Sequence, residues 1–223
     1  MPDDRVQVDP LAPLFFLSYA VVKPPRRSTV GPRDPNANVL ELFAELSVHV
    51  NHLVSRPTGA DPGFMDRTMR GGERWNAELL EAVGTCQVFV ALLSPAYLDS
   101  EWCAMEWDAF ASRKVHKRDE NSSDRESCIL PVSWSPMDSA PLPDSTGLIQ
   151  RFSPEGTPDD SIVPQYQQEG LYGLLSMRQE VTHGVIVWKL AQRIVQLSRS
   201  HWVEPRVLTD TSGLARKFPR EGL

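Results

Sequence analysis

Two continuous apolar runs constrain the fold of this chain more than any other feature of its sequence. Residues 14–20 read LFFLSYA and residues 86–94 read CQVFVALLS, and turn-forming residues follow each run. Uninterrupted apolar runs of this length are typical of strands that are buried on both faces of a parallel sheet. CILPV at 128–132 predicts a further strand of this kind, and GFM at 63–65 predicts a short one between turn residues.

Amphipathic segments alternate with these strands. Apolar residues recur at three- and four-residue steps from 39 to 53, which predicts a helix of about four turns with Asn36 or Asn38 as its N-cap. Further helices are predicted at 73–83, at 100–114 with Ser100 as the cap, and at 184–199. Strands that alternate with helices predict one α/β domain, in which a parallel sheet is covered on both faces.

The prolines outnumber the glycines, 19 to 13, and they concentrate between the predicted elements. They fall mainly in a loop at 21–37, in the stretch 57–62 and in a Pro/Ser/Asp-rich segment at 133–165. No apolar periodicity runs through that last segment, which indicates a long excursion. We therefore expect an N-terminal tail at 1–13, a domain at 14–202 with an extended excursion at 133–183, and a C-terminal tail at 203–223.

The net charge and the hydropathy of the chain narrow the classes of molecule that it can bind. The 23 Lys and Arg residues against 29 Asp and Glu residues give a net charge of −6, which does not suit a protein built around a nucleic-acid backbone. The N-terminal segment lacks the basic and apolar regions of a signal peptide, and no apolar stretch approaches the roughly 20 residues that cross a bilayer. We expect a cytoplasmic protein that binds neither nucleic acid nor membrane.

Several common cofactor and metal motifs are missing from the sequence. It contains neither the glycine-rich Rossmann fingerprint after a strand nor a P-loop, and no G-x-S-x-G nucleophile elbow occurs. Cys86, Cys103 and Cys128 form no C-x-x-C pair, and no H-E-x-x-H motif surrounds His49 and His52. We therefore expect reduced, packed thiols and no metal site.

One carboxylate stands inside an apolar helical stripe. The four neighbours of Glu106 at three and four residues along the helix are all apolar: Trp102, Cys103, Ala109 and Phe110. Burial of a carboxylate is costly and raises its pKa. The residues alone leave two interpretations open: a structural carboxylate at the rim of the stripe or paired with an arginine, and a functional carboxylate in a cleft beside Trp102. Ordinary glycosidases use two carboxylates, so Glu106 acting largely alone requires a substrate with a good leaving group.

The same part of the chain resembles the TIR (Toll/interleukin-1 receptor-like) domain family. SPAYLDSEWCAMEW at 94–107 is similar to the S-x-x-Y-x-x-S-x-W-C-x-x-E signature of that family, and TMRGGERWNAELLEAV resembles the passage after its BB loop. LFFLSYA and CILPVSW are similar to its first and fourth strands. The resemblance covers roughly 14–135 and implies a flavodoxin-like fold, with a central parallel sheet of about five strands and helices on both faces. The segment 166–175 and the helix after it are also similar to TIR-like proteins of actinobacterial FxSxx-type peptide-maturation clusters.

The resemblance also implies an activity and a site. Many bacterial and plant TIR domains cleave the nicotinamide–ribose bond of NAD⁺, and the glutamate of the signature, here Glu106, is the catalytic residue. The implied substrate-binding residues are Ser18, Tyr19, Phe64, Asp66, Trp75 and Trp102. NAD⁺ is then a substrate and no cofactor is needed, because nicotinamide leaves as a neutral base and one carboxylate can stabilise the transition state. For Trp75, a place in the core remains the alternative.

Two functions from different classes therefore remain open. The first is an NAD⁺ glycohydrolase that is activated by self-association and acts in bacterial signalling or defence. The second is a non-catalytic TIR-like module that binds a partner protein. Trp102 together with Glu106 on an apolar face favours catalysis. The proline-rich loop after Tyr19 favours binding, because the family usually has a short polar turn at that place.

Overall fold

A computed structural model of the chain describes residues 9–22, 34–66, 77–118, 126–137 and 149–218. Its strands are β1 (Phe15–Ser18), β2 (Gly63–Phe64), β3 (Val88–Leu93), β4 (Val115–Lys117), β5 (Ile129–Ser133) and β6 (His201–Val203). Its helices are α1 (Ala37–Leu53), α2 (Ala77–Thr85), α3 (Pro95–Leu98), α4 (Glu101–Ala111), α5 (Ile162–Ser176) and α6 (Glu180–Ser200).

The central sheet is parallel and has the strand order β2-β1-β3-β5. Buried residues of α1, α5 and α6 form the core on one face, and those of α2, α3 and α4 form the core on the other. This arrangement confirms the predicted α/β class with helices on both faces. The sheet has four strands among the described residues where the sequence predicts about five, and β4 and β6 form a separate antiparallel pair.

Pro131 is compatible with β5 because its backbone nitrogen faces an edge of the sheet. Its carbonyl accepts a hydrogen bond from the Phe152 backbone N–H at 2.8 Å, on the side away from β3. The N and the C=O of one residue point the same way in a strand, so the proline nitrogen, which has no hydrogen, also faces that edge. A proline is tolerated there because β3 does not need a donor from it.

Helix α5 lies inside the segment that the sequence predicts as an excursion. Its buried apolar side chains join the core on the α6 side of the sheet, and they are Ile162, Tyr166, Leu171 and Leu174. The Tyr166 hydroxyl accepts a hydrogen bond from the Ser133 backbone N–H at 2.9 Å, which ties α5 to the end of β5. The helix is broken at Gly170, where φ is +64° and ψ is 173°. This break shifts the register of the apolar residues and hides the helix from a test of periodicity.

The segment after α6, which the sequence predicts as a tail, lies against the domain. Val203 is buried and pairs with Val115 of β4. The Arg206 backbone N–H donates to the Gly84 carbonyl at 2.9 Å. Among the helices in the described ranges, none combines the length and the hydrophobicity needed to cross a bilayer.

Arg113 anchors the beginning of this C-terminal segment. It is 6% exposed, and its guanidinium donates to the carbonyl oxygens of Val83 at 2.9 Å, Glu204 at 3.0 Å and Val203 at 3.3 Å. It also lies 5.0 Å from the centre of the Phe110 ring. One side chain therefore joins α2, α4 and the strand after α6.

We expect Arg113→Met to lower the free energy of unfolding by about 2–4 kcal/mol, because buried carbonyl groups lose their donor. Urea unfolding at neutral pH measures the change. The control is Arg216→Met, since the Arg216 side chain is well exposed and its ion pair with Glu101 spans 3.9 Å; its effect should stay within about 0.5 kcal/mol. Equal losses in the two variants would contradict the anchoring role.

Candidate functional site

The strand order of the sheet reverses between β1 and β3. The chain leaves β1 toward β2 on one side of this point and leaves β3 toward β5 on the other. In open parallel sheets, ligands bind outside the carboxyl ends of the strands at such a point. β1 ends at Ser18 and β3 ends at Leu93, so a ligand is expected next to these residues.

Helix α4 brings Glu106 to the carboxyl end of β1. The helix begins after Ser100, whose Oγ accepts a hydrogen bond from the Cys103 backbone N–H at 3.3 Å, as the predicted cap requires. Glu106 is 2% exposed and faces the end of β1. There the Ser18 hydroxyl donates to Glu106 Oε2 at 2.5 Å.

Ser18 also joins Glu106 to Tyr97 of α3. The Ser18 Oγ lies 3.0 Å from the Tyr97 Oη, and all three side chains are buried. A hydroxyl has one hydrogen, so a Ser18 that donates to Glu106 must accept from Tyr97. The result is a directed chain of hydrogen bonds that orients the carboxylate. We refer to Tyr97, Ser18 and Glu106 as the carboxylate chain.

Burial raises the pKa of Glu106 to about 8. The hydrogen bond from Ser18 opposes this increase, and the negative charge of Asp66 adds to it. Burial also raises the pKa of Tyr97 well above its usual range, and burial followed by the Glu106 charge raises the pKa of Cys103. Glu106 is therefore largely protonated at neutral pH, and its charge appears just above neutrality, as is common for groups at functional sites.

We expect Ser18→Ala to raise the pKa of Glu106 above about 8, because the substitution removes a hydrogen bond that favours the ionised carboxylate. Carbon-13 NMR of glutamate-labelled protein, with Glu106→Gln for the assignment, follows the titration. Ser198→Ala is the matched control, since that hydroxyl donates to the Val195 carbonyl of its own helix. A lower pKa in Ser18→Ala, or an equal shift in Ser198→Ala, would show that the bond to Ser18 has no such effect.

Three more of the predicted residues lie at the ends of β1 and β2. Tyr19 directly follows β1, and its hydroxyl donates to the Asp66 carbonyl at 3.0 Å. Burial, with the negative charges of Asp66 and Glu106, raises the pKa of Tyr19 to about 12. Phe64 stacks on Phe16 on the α4 side of the sheet, with 5.7 Å between ring centres. The structure therefore brings Tyr19, Phe64 and Asp66 to the sheet region that holds Glu106.

Of the two tryptophans predicted to bind substrate, one lies within the described residues and one lies outside them. Trp102 lies one helical turn before Glu106 on α4 and is half-buried. Trp75 lies outside the described residues, so its role stays a prediction. Tyr97 is not among the site residues predicted from the sequence. It is the tyrosine of the S-x-x-Y-x-x-S pattern, but its partner Ser18 is 79 residues away and only the fold joins them.

Asn36 acts differently from the predicted N-cap. It occupies that position before α1, but its side chain makes no capping hydrogen bond to the helix. Instead, its Oδ1 accepts from the Val22 backbone N–H at 2.9 Å and its Nδ2 donates to the Val22 carbonyl at 3.2 Å. The chain just after Tyr19 is thereby tied to the start of α1, on either side of residues 23–33, which lie outside the described ranges.

The cysteines are buried and free of disulfides, as predicted for Cys86, Cys103 and Cys128. Within the ranges that the structure describes, no group of three or more His, Cys, Asp or Glu side chains is placed to hold a metal ion.

Comparisons with known proteins identify the family. A family model described as "TIR domain" matches residues 50–159, a region that includes β2, β3, β5 and the helix that carries Glu106. No curated protein and no solved structure gives a significant match. The strand order, with helices on both faces, agrees with the flavodoxin-like fold implied by the resemblance. The family match and the fold together identify a TIR domain in this chain, a kind of module that acts in signalling or defence.

Proposed function

We propose that this protein is an NAD⁺ glycohydrolase and that Glu106 is its catalytic residue. The observation that carries the proposal is the placement of a buried carboxylate, oriented by Ser18, at the point of a TIR-domain sheet where ligands bind. Among the described residues, no Lys or Arg forms an ion pair with Glu106. Burial of a carboxylate is costly, and costly features of this kind are common at functional sites.

The reaction requires one negative charge from the protein and little else. Cleavage breaks the bond between ribose C1′ and the nicotinamide nitrogen, and the electron pair leaves with nicotinamide, which departs as a neutral molecule. Positive charge then develops on the ribose. An ionised Glu106 stabilises that charge or accepts hydrogen bonds from the ribose hydroxyls. With water as the acceptor, the products are nicotinamide, ADP-ribose and a proton.

The neighbouring side chains supply the walls of the proposed cleft. Tyr19, Phe64 and Asp66 lie at the ends of β1 and β2, and Trp102 offers an aromatic surface one turn from the carboxylate. Glu106 itself is 2% exposed, so substrate access requires the surface around it to open. We propose that self-association through TIR–TIR contacts produces the open state, in a bacterial signalling or defence response.

Release of nicotinamide from NAD⁺ by the purified protein, with and without a clustering agent, tests the proposal. Glu106→Ala should reduce turnover by on the order of 100-fold or more, the usual effect of removing one electrostatic stabiliser. Glu101→Ala is the matched control, because this carboxylate lies on the same helix but is exposed. The enzyme proposal fails if no clustering condition gives turnover, or if Glu106→Ala cleaves NAD⁺ as fast as the wild type.

A second candidate is a non-catalytic module that binds a protein partner. The observation that favours it is the burial of Glu106, since a closed carboxylate that is largely protonated at neutral pH can be a part of the fold alone. In that case Glu106→Ala leaves self-association and partner binding unchanged while no condition gives turnover. The clustering assay, combined with light scattering of both variants, therefore separates the two functions.

A further inference from the structure

The C-terminal segment 204–218 runs across the helices that carry the site. Its backbone is held at three places along this path: Glu204 N–H donates to the Lys114 carbonyl at 2.9 Å, Arg206 N–H to the Gly84 carbonyl at 2.9 Å, and Ala215 N–H to Asp108 Oδ2 at 3.0 Å. The last of these attaches the segment to α4, two residues beyond Glu106. The segment is therefore a fixed part of the surface behind the site.

Phe218 is the point where this segment enters the core. It is 5% exposed, and its ring centre lies 5.7 Å from that of Tyr97 and 5.9 Å from that of Trp107. Tyr97 is the first member of the carboxylate chain, and Trp107 directly follows Glu106 on α4. One side chain thus packs on the elements that hold both ends of the chain.

The packing of Tyr97 affects Glu106 because the chain depends on short distances. The Tyr97 hydroxyl reaches Ser18 at 3.0 Å, and Ser18 reaches Glu106 at 2.5 Å. Hydrogen bonds weaken steeply when distance and angle depart from these values. A cavity in place of the Phe218 ring would let Tyr97 and Trp107 shift, since the surroundings of a deleted ring collapse only in part. The hydrogen bond from Ser18 to Glu106 would then weaken.

We propose that Phe218 is a positioning residue for Glu106, which holds Tyr97 and Trp107 so that Ser18 stays aimed at the carboxylate. This inference rests on the proposed function, because it assigns the C-terminal segment to the same site. Phe218 acts through Tyr97 and does not itself touch the substrate. Within the part of the chain that the structure describes, the titratable groups that face Glu106 from the packed elements are Tyr19, Asp66, Tyr97 and Cys103.

The test compares Phe218→Ala, Phe218→Leu and Phe152→Ala. The control residue Phe152 is also a buried ring, but it packs on Tyr166 on the opposite side of the sheet. Carbon-13 NMR reports the pKa of Glu106 without any need for activity, and nicotinamide release gives kcat and KM. Because Ser18 is then no longer aimed at the carboxylate, Phe218→Ala should raise the pKa of Glu106 further, in the direction expected for Ser18→Ala, and reduce kcat about 10-fold with little change in KM. Phe218→Leu should restore most of the wild-type pKa of Glu106 and most of kcat, and Phe152→Ala should leave the pKa of Glu106 unchanged.

The proposal is overturned if Phe218→Ala lowers the pKa of Glu106 or leaves it unchanged, or if Phe152→Ala shifts it equally. If wild-type protein shows no cleavage of NAD⁺, the proposed function fails, and the NMR titration still decides whether Phe218 positions the carboxylate. Asp108→Ala serves if Phe218→Ala does not fold, because it releases Ala215 without opening a cavity in the core. It should shift the pKa of Glu106 in the same direction by a smaller amount, and no shift there would also overturn the proposal.

Discussion

Glu106→Gln is expected to abolish cleavage of NAD⁺ and, at the same time, to make the folded protein more stable at neutral and alkaline pH. Burial raises the pKa of Glu106 from its ordinary value of 4.5 to about 8. Between these two values the unfolded chain has released the proton and the folded chain still holds it. Folded-state stability therefore falls as the pH rises from 4.5 to about 8, and it stays reduced above 8.

The size of this difference in stability follows from the pKa shift of Glu106. One pKa unit corresponds to about 1.4 kcal/mol, so the glutamine variant should exceed the wild type by several kcal/mol above pH 8. Below pH 4.5 the two should be nearly equal, because the carboxyl is then protonated in both states of the wild type. Urea unfolding of both proteins across this pH range measures the difference.

Glu101→Gln provides the comparison for the pH dependence. Glu101 is an exposed carboxylate in the first turn of the same helix, so its replacement should leave the difference from wild type nearly constant with pH. A Glu106→Gln variant that is less stable than the wild type above pH 8 would mean that the ionised carboxylate holds the fold together. Gain of stability with loss of activity is the combination expected of a functional group placed at a cost to the fold.

Gly170→Ala should destabilise the protein by about 3 kcal/mol or more. With φ at +64° and ψ at 173°, Gly170 adopts a conformation that is essentially restricted to glycine. An added Cβ would also lie 2.6 Å from the carbonyl oxygen of Trp134, which is backbone and cannot turn away. The same oxygen accepts the Tyr172 backbone N–H at 2.8 Å, so any shift of α5 breaks its attachment to the end of β5.

Gly184→Ala is the matched control for this substitution. Gly184 lies in α6 with helical geometry, and an added Cβ meets no atom within 4 Å. The exchange should therefore stabilise the protein by about 0.5–1 kcal/mol, the difference in helix propensity between the two residues. Urea unfolding of both variants provides the measurement. Changes of the same sign at the two glycines would refute the role given to the break in α5.

Local patterns in the sequence were enough to establish the α/β class and to single out Glu106. A buried parallel strand shows itself as a continuous apolar run, and both runs at 14–20 and 86–94 became central strands. The apolar neighbours of Glu106 lie within four residues of it along one helix, so their spacing already placed it within an apolar stripe. Ser100 caps α4 for an equally local reason, since the bond spans three residues.

Only the tertiary structure decided which groups meet Glu106. Ser18 lies 88 residues from Glu106 and 79 residues from Tyr97, and these pairs depend on the order of the strands in the sheet. Periodicity describes one element at a time and contains no information about which strands become neighbours. The break at Gly170 hid α5 for a related reason, because a shift of register interrupts the helical period of its apolar residues. The path of the C-terminal segment to Phe218 is set by contacts with rings and carbonyls, and such contacts have no sequence pattern.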